Sequence, residues 1–307
     1  MARKIYHYSD IAGMSADDGP DAEYPCFYAH DGATCTLLRV RGTPSFIPED
    51  EGIERSARIL SQISSSMRQK GRGLTITYER SYNIDDEVAR LTEPLADAAL
   101  RKGMSLQAAV NETAGILANA ITKERILVAV WTYRDAADSA AYREDKRRRQ
   151  STTGRLLLSR GIQDPNGPYE SLQANHRGFV KQIMAAMTGQ GFWVEQLGPN
   201  DGGREDLAEV RRALLYHETP AGPVRYPRAK SGVSADVSNL FAETLDRQIM
   251  TSAATASNDL RTITMGGRNY AIMRLSAMPQ RMISFRSLLR NIDGATRSDD
   301  MPFRIAI

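Results

Sequence analysis

The 307-residue chain has no Gly-x-x-x-x-Gly-Lys-Ser/Thr loop, and the Gly-Lys-Ser/Thr ending occurs nowhere in it. That loop wraps phosphates in backbone N–H groups and reaches the terminal ones with a lysine, so no P-loop nucleotide hydrolysis is expected of these residues. Cysteine is scarce: only Cys26 and Cys35 occur. Between them, Asp31-Gly32 is a hairpin signal. A two-residue turn there pairs Cys26 with Leu37 and Cys35 with Tyr28, which sets the thiols diagonally and favours free cysteines. So few of them in a chain this long suit a reducing cytoplasm. Long apolar runs are missing as well. The longest, Ile126 to Trp131, falls far short of the ~20 residues a spanning helix needs. Met1 to Tyr6 has no apolar core of a signal peptide, so none is expected. Membrane attachment, if any, would go through partners.

Chemistry-bearing patterns are equally sparse. His7, His30, His176 and His217 are scattered, with no Cys-x-x-Cys or His-x-x-x-His spacing to hold a metal, and they read as surface or hairpin histidines. Three Gly-x-Ser starts, ending at Ser15, Ser105 and Ser234, lack the second glycine of a nucleophile elbow and read as loop or cap serines. The pairs Asp17-Asp18, Asp85-Asp86 and Asp299-Asp300 sit in turn or helix-start contexts, where acids cap backbone donors. Gly202-Gly203-Arg204 and Gly266-Gly267-Arg268 resemble anion-binding turns, but helix-start and hairpin readings suit them better. No catalytic, cofactor-binding or metal-ligating residue is nominated.

What is present describes a folded protein. With 41% apolar and 25% charged residues the chain is globular, and its length suffices for one large domain or two ordinary ones. The net charge of +3 permits acidic partners or lipid head groups without arguing for a dedicated nucleic-acid binder. The hydrophobic period alternates, which predicts an α+β fold of mixed or antiparallel sheets with packed helices.

Strands are expected at Thr34 to Arg41, at Leu74 to Tyr78, at Ile126 to Trp131 (apolar on both faces, as a central strand would be), around Phe192 and Val194, and at the terminal run Pro302 to Ile307. One helix face is marked by Ile53, Ala57, Leu60, Ile63 and Met67, behind the acids Glu49, Asp50 and Glu51. Another is marked by Val88, Leu91, Leu95 and Ala98, with Pro94 kinking it or starting a second piece. Further stripes are Leu106, Val110, Thr113, Leu117 and Ile121; Leu172, Phe179, Ile183 and Met187; Leu207, Val210 and Leu214; Val237, Leu240, Phe241, Leu245 and Ile249; and Ile283, Phe285, Leu288, Leu289 and Ile292. A hairpin turns at Gly266-Gly267. The Pro- and Gly-rich Thr219 to Val233 is the natural boundary. It divides an α+β domain over 1–218 from a smaller α+β subdomain over 233–307.

The most pointed charge feature lies within a polar stretch from Asp135 that is helical in its first half. Arg143, Lys146, Arg147, Arg148 and Arg149 are candidate partner-binding residues, with Arg155 and Arg160 continuing the run and Glu144 and Asp145 partly neutralising it. On a helix Arg143, Lys146 and Arg149 share a face, which could meet anionic lipid, an acidic partner or a nucleic-acid backbone. No aromatic residue lies between Tyr142 and Tyr169, so a single-strand stacking platform is absent.

Several segments, in order, resemble the N-terminal region of the VirB-type conjugation and secretion ATPases, in the Dot/Icm-like and IncI-plasmid branch (IcmB/DotO and its relatives). They are Asp31-Gly32 leading into Leu37 to Thr43; Leu74 to Arg80, an extended run ending in arginine; Met278-Pro279-Gln280-Arg281; and the proline-aromatic-arginine strand Met301 to Ile307. The resemblance implies a non-catalytic domain leading toward a separate ATPase domain. Such a domain docks the motor onto inner-membrane subunits of a type IV secretion system, helps it self-associate, and stays cytoplasmic, held at the inner membrane through partners. It implies no cofactor in this chain, ATP belonging to the parent protein. The alternative is a nucleic-acid-binding protein of a conjugative element.

Overall fold

A computed structural model of the chain describes residues 3–5, 11–14, 26–43, 45, 47–81, 85–120, 123–151, 161–164, 169–197, 242–249, 254–265, 268–271, 287, 290 and 303–306. In chain order its strands are β1 (Arg3–Ile5), β2 (Ile11–Met14), β3 (Phe27–Ala29), β4 (Thr34–Gly42), β5 (Arg72–Ser81), β6 (Lys123–Thr132), β7 (Trp193–Leu197), β8 (Ala254–Ala256), β9 (Thr262–Met265), β10 (Arg268–Ala271) and β11 (Phe303–Ala306). Its helices are α1 (Glu49–Met67), α2 (Asp85–Arg101), α3 (Gln107–Ala120), α4 (Ser139–Ser151), α5 (Glu170–Thr188) and α6 (Leu245–Ile249). The fold is α+β, built on helices and antiparallel sheets.

The chain separates into two compact units, one of residues 1–76 with 127–274 and the other of 77–126 with 275–307. The domain boundary expected over 219–232 lies outside the described residues, as do the helix of Leu207 to Leu214 and residues 237–241.

In the first unit the strand order runs β5-β6-β4-β3-β2, with β7 also paired to β4. β3 and β7 share one edge of β4 in succession: Cys35 faces Phe27, and Leu37 faces Leu197. Both faces are covered. Cys35, Leu37, Leu127 and Leu197 pack with Ile11, Met14, Phe27 and the α6 residue Leu245. Leu38, Val40, Val128 and Val130 face Ile63 of α1 and Phe179, Val180, Ile183 and Ala186 of α5. The alternation of odd and even residues in β4 and β6 is the period-2 geometry of a strand, with burial worth roughly 1.5–3 kcal/mol per large side chain. β1-β8-β9-β10 form a second sheet. Met265 lies opposite Arg268, and Gly266-Gly267, where the hairpin turn is expected, lie outside the described residues.

Two expectations for this unit are corrected. The β3–β4 register is shifted by one: Cys35 lies opposite Phe27 and Thr34 opposite Tyr28. A two-residue type I′ turn needs positive φ at both Asp31 and Gly32, and of the two only Gly32 has it, at 89°. The loop therefore takes three residues, closed by Ala29 N–H to Ala33 O at 2.8 Å and by Asp31 Oδ1 accepting from Ala33 N–H at 2.9 Å. Both cysteines are free and buried, and burial first, then Cys26, pushes the Cys35 thiol well up. On α1, Ile53, Ala57 and Leu60 are exposed (Ile53 55%, Leu60 59%), and the covered side is Ile59, Ile63, Ser66 and Met67. α1 meets α5 along that side.

In the second unit β11 pairs antiparallel with β5, Ile305 opposite Tyr78 and Arg304 opposite Glu79. β5 and β6 carry two reciprocal ion pairs on successive rungs, Glu79–Arg125 at 2.9 Å and Arg80–Glu124 at 3.1 Å. Opposite polarity on adjacent rungs penalises a one-residue slip, which would set like charges against each other. α2 runs unbroken through Pro94, so no second piece starts there. It ends at Gly103, whose φ of 66° suits a left-handed helix stop. Its covered side is Val88, Thr92 and Ala99, while Leu91 (51% exposed), Leu95 and Ala98 face outward. Val110 of α3 is buried. Of the expected helix over Ile283 to Ile292, only Ser287 and Arg290 are described, and both are helical. Among the described residues no helix is long and apolar enough to cross a membrane.

Candidate partner-binding site

The basic run lies on α4, in the first unit. Its composition of Ala, Arg, Lys, Glu and Gln favours helix, and Asp138 caps it: Oδ2 accepts from Ala141 N–H at 3.2 Å. Three residues at successive i, i+3 positions turn one side of α4 onto the start of α5. Tyr142 is buried against Tyr169, ring centroids 4.9 Å apart, and its hydroxyl donates to Asp31 O at 3.4 Å. Burial, then Tyr169, pushes the Tyr142 phenol up to about 12. Asp145 Oδ2 accepts from Ser171 N–H at 2.7 Å. Arg148 reaches Glu170 at 3.0 Å and Asp145 at 3.4 Å.

Asp145 therefore does more than dilute positive charge. The residue at the N-cap of α5, Tyr169, supplies no side-chain cap, and Asp145 satisfies a first-turn N–H from another helix. Hydrogen bonding to Glu170 foremost raises the Arg148 pKa further and holds the guanidinium charged. Arg148 is thus committed within the chain. Arg143, Lys146 and Arg147 are exposed and make no ion pair among the described residues. Arg149 belongs to α4, with its side chain outside the described residues, as are Arg155 and Arg160 altogether.

Among the described residues the other sequence candidates do not converge. His176 is the main correction: far from a surface position, it is 1% exposed on α5, its Nε2 2.8 Å from Thr36 Oγ1 and its Nδ1 2.8 Å from Thr132 Oγ1. Burial first, then the charge of Arg177, pushes its pKa down to about 3, so the ring is neutral. A neutral imidazole carries one N–H and one bare nitrogen, so one hydroxyl accepts and the other donates. This is a structural tie. The clue in the sequence was a threonine on an apolar strand face in both β4 and β6.

His30, on the β3–β4 turn, lies 3.4 Å from Asp246. Ser105 is exposed between α2 and α3, and Asp85-Asp86 open α2. His7, His217, Ser15, Ser234, Asp17-Asp18, Asp299-Asp300 and Gly202-Gly203-Arg204 lie outside the described residues. Among those described, no cluster of three or more His, Cys, Asp or Glu could hold a metal. Neither a protein-family model nor a curated protein matches this chain.

Proposed function

We propose that the chain is a non-catalytic docking and assembly domain of a type IV secretion, or conjugative transfer, ATPase. In this reading it binds inner-membrane subunits from the cytoplasmic side, helps the motor oligomerise, and leaves ATP chemistry to the motor. The observation that carries it is the pairing of two resembling segments more than two hundred residues apart: the Leu74 to Arg80 run lies in β5, and the proline-aromatic-arginine run supplies β11, with Ile305 opposite Tyr78. The exposed cations of α4 and the outward leucines Leu91 and Leu95 of α2 add surfaces of the kind that partners cover.

Co-purification with inner-membrane subunits tests the reading. It is expected with the native chain and lost in Arg143→Glu/Lys146→Glu/Arg147→Glu. Undiminished recovery removes α4 from the docking surface, and saturable ATP turnover by the purified chain overturns the non-catalytic assignment. Retardation of DNA at low salt that vanishes steeply as salt rises would favour the alternative, a nucleic-acid-binding protein.

A further inference from the structure

We infer that the outer side of α4 is a docking strip for an acidic helix of a protein partner, contacted by Arg143, Lys146 and Arg147, with Arg148 as a positioning residue. The inference rests on the docking reading and gives its partner a chemistry. α4 has two sides with different work. Tyr142, Asp145 and Arg148 fasten one side to Tyr169, Ser171 and Glu170 at the start of α5. Such fastening lowers the entropy cost of presenting the other side.

On that other side Arg143 and Arg147 are i, i+4 and Arg143 and Lys146 are i, i+3, all three exposed. Their Cβ atoms are then about 5–6 Å apart. A partner helix with carboxylates at i, i+3 and i+4 repeats that spacing, and each guanidinium fork fits a carboxylate bidentately. Exposed Ala140, three residues before Arg143, is small enough to let a second helix approach. Glu144, the exposed acid of the helix, lies about 100° around the axis from Arg143, on the flank of the strip.

Two other anionic surfaces fit less well. Among the described residues α4 presents no exposed large apolar side chain to insert among acyl chains. The aromatic-free sequence between Tyr142 and Tyr169 offers nothing on which bases could stack.

The test uses the full chain and an alanine-based helical peptide with glutamates at i, i+3 and i+4 along one side. An isomer with the same glutamates spread around the axis is the control. The aligned peptide is expected to bind better than the isomer. Arg143→Glu/Lys146→Glu/Arg147→Glu should weaken it on the order of tenfold or more, as three exposed ion pairs allow, with thermal stability unchanged. The neutralising pair Arg143→Gln/Arg147→Gln guards against misfolding and should weaken it less. Arg148→Ala should lower thermal stability and weaken the peptide only slightly. Equal binding of both peptides, native affinity in the charge-reversed variant, or tighter binding of anionic vesicles or short single-stranded DNA would overturn the inference. If co-purification with inner-membrane subunits is still lost on charge reversal, that failure strikes the acidic helix alone and the docking reading stands.

Discussion

Thr36 on β4 and His176 on α5 are joined at 2.8 Å between Oγ1 and Nε2. The other ring nitrogen of His176 meets Thr132 at the same distance, so one imidazole stitches two strands to the helix that covers them. Replacing His176 by alanine leaves two buried hydroxyls without partners and opens a cavity, at a cost of about 3 kcal/mol or more. Thermal denaturation should show a fall of roughly 10 °C. Adding Thr36→Val and Thr132→Val should restore part of it, because an apolar pair costs less than orphaned hydroxyls.

The same ring makes stability fall in acid. Its folded pKa, about 3, lies below the roughly 6.5 of an unfolded histidine. The unfolded chain then takes up a proton that the folded one refuses. The contribution is whole above about pH 6.5 and is lost as pH drops toward 3, by about 1.4 kcal/mol per pH unit. Urea unfolding at pH 7 and pH 5 should reveal this loss in the native chain and a shallower one in His176→Leu. Parallel curves would mean that His176 is not the group responsible.

In the second unit, Glu79 and Arg125 form a pair at 2.9 Å with side chains 13% and 4% exposed. Removing one partner strands a buried charge, so Glu79→Gln or Arg125→Met should each cost about 3 kcal/mol, while the double variant costs less than their sum. A double-mutant cycle in denaturant reads this directly.

The fastening of α4 orders three variants. Asp145→Ala removes the cap on Ser171 and should cost about 1 kcal/mol. Arg148→Ala should lower the melting temperature less, and Arg147→Ala should leave it unchanged. A larger loss at Arg147 than at Arg148 would reverse the assignment of the two sides.

Gly71 has a φ of 75°, and a Cβ there would stand 2.2 Å from the backbone nitrogen of Ala136. Backbone cannot rotate away as a side chain can, so Gly71→Ala should destabilise by roughly 2 kcal/mol or more in thermal denaturation.

Sequence reading succeeded where one element's own period decides the outcome. Of the doubly apolar run Ile126 to Trp131, the part from Leu127 onward became β6 with both faces covered in the first unit, and Leu172, Phe179 and Ile183 were each buried on α5. It failed where two sides of a helix compete. α1 and α2 each carry more apolar side chains than one neighbour can cover, so Ile53, Leu60 and Leu91 stay exposed while Ile63 and Val88 are buried. Of the candidate site, the basic run and its helix were legible; the separation of Arg148 from Arg143, Lys146 and Arg147 was not. That separation depends on Glu170 and Ser171, residues of another helix.

Local pattern by itself determined strands β4, β5, β6, β7 and β11, helices α1 to α5, and the placing of cations on α4. Hydrophobic period and turn chemistry are properties of neighbouring residues and need no partner to be expressed. Only tertiary structure decided the buried neutral histidine and which side of α4 stays open. Each of those depends on a residue distant in the chain that supplies or withholds a hydrogen bond, and such pairings arise when the elements pack.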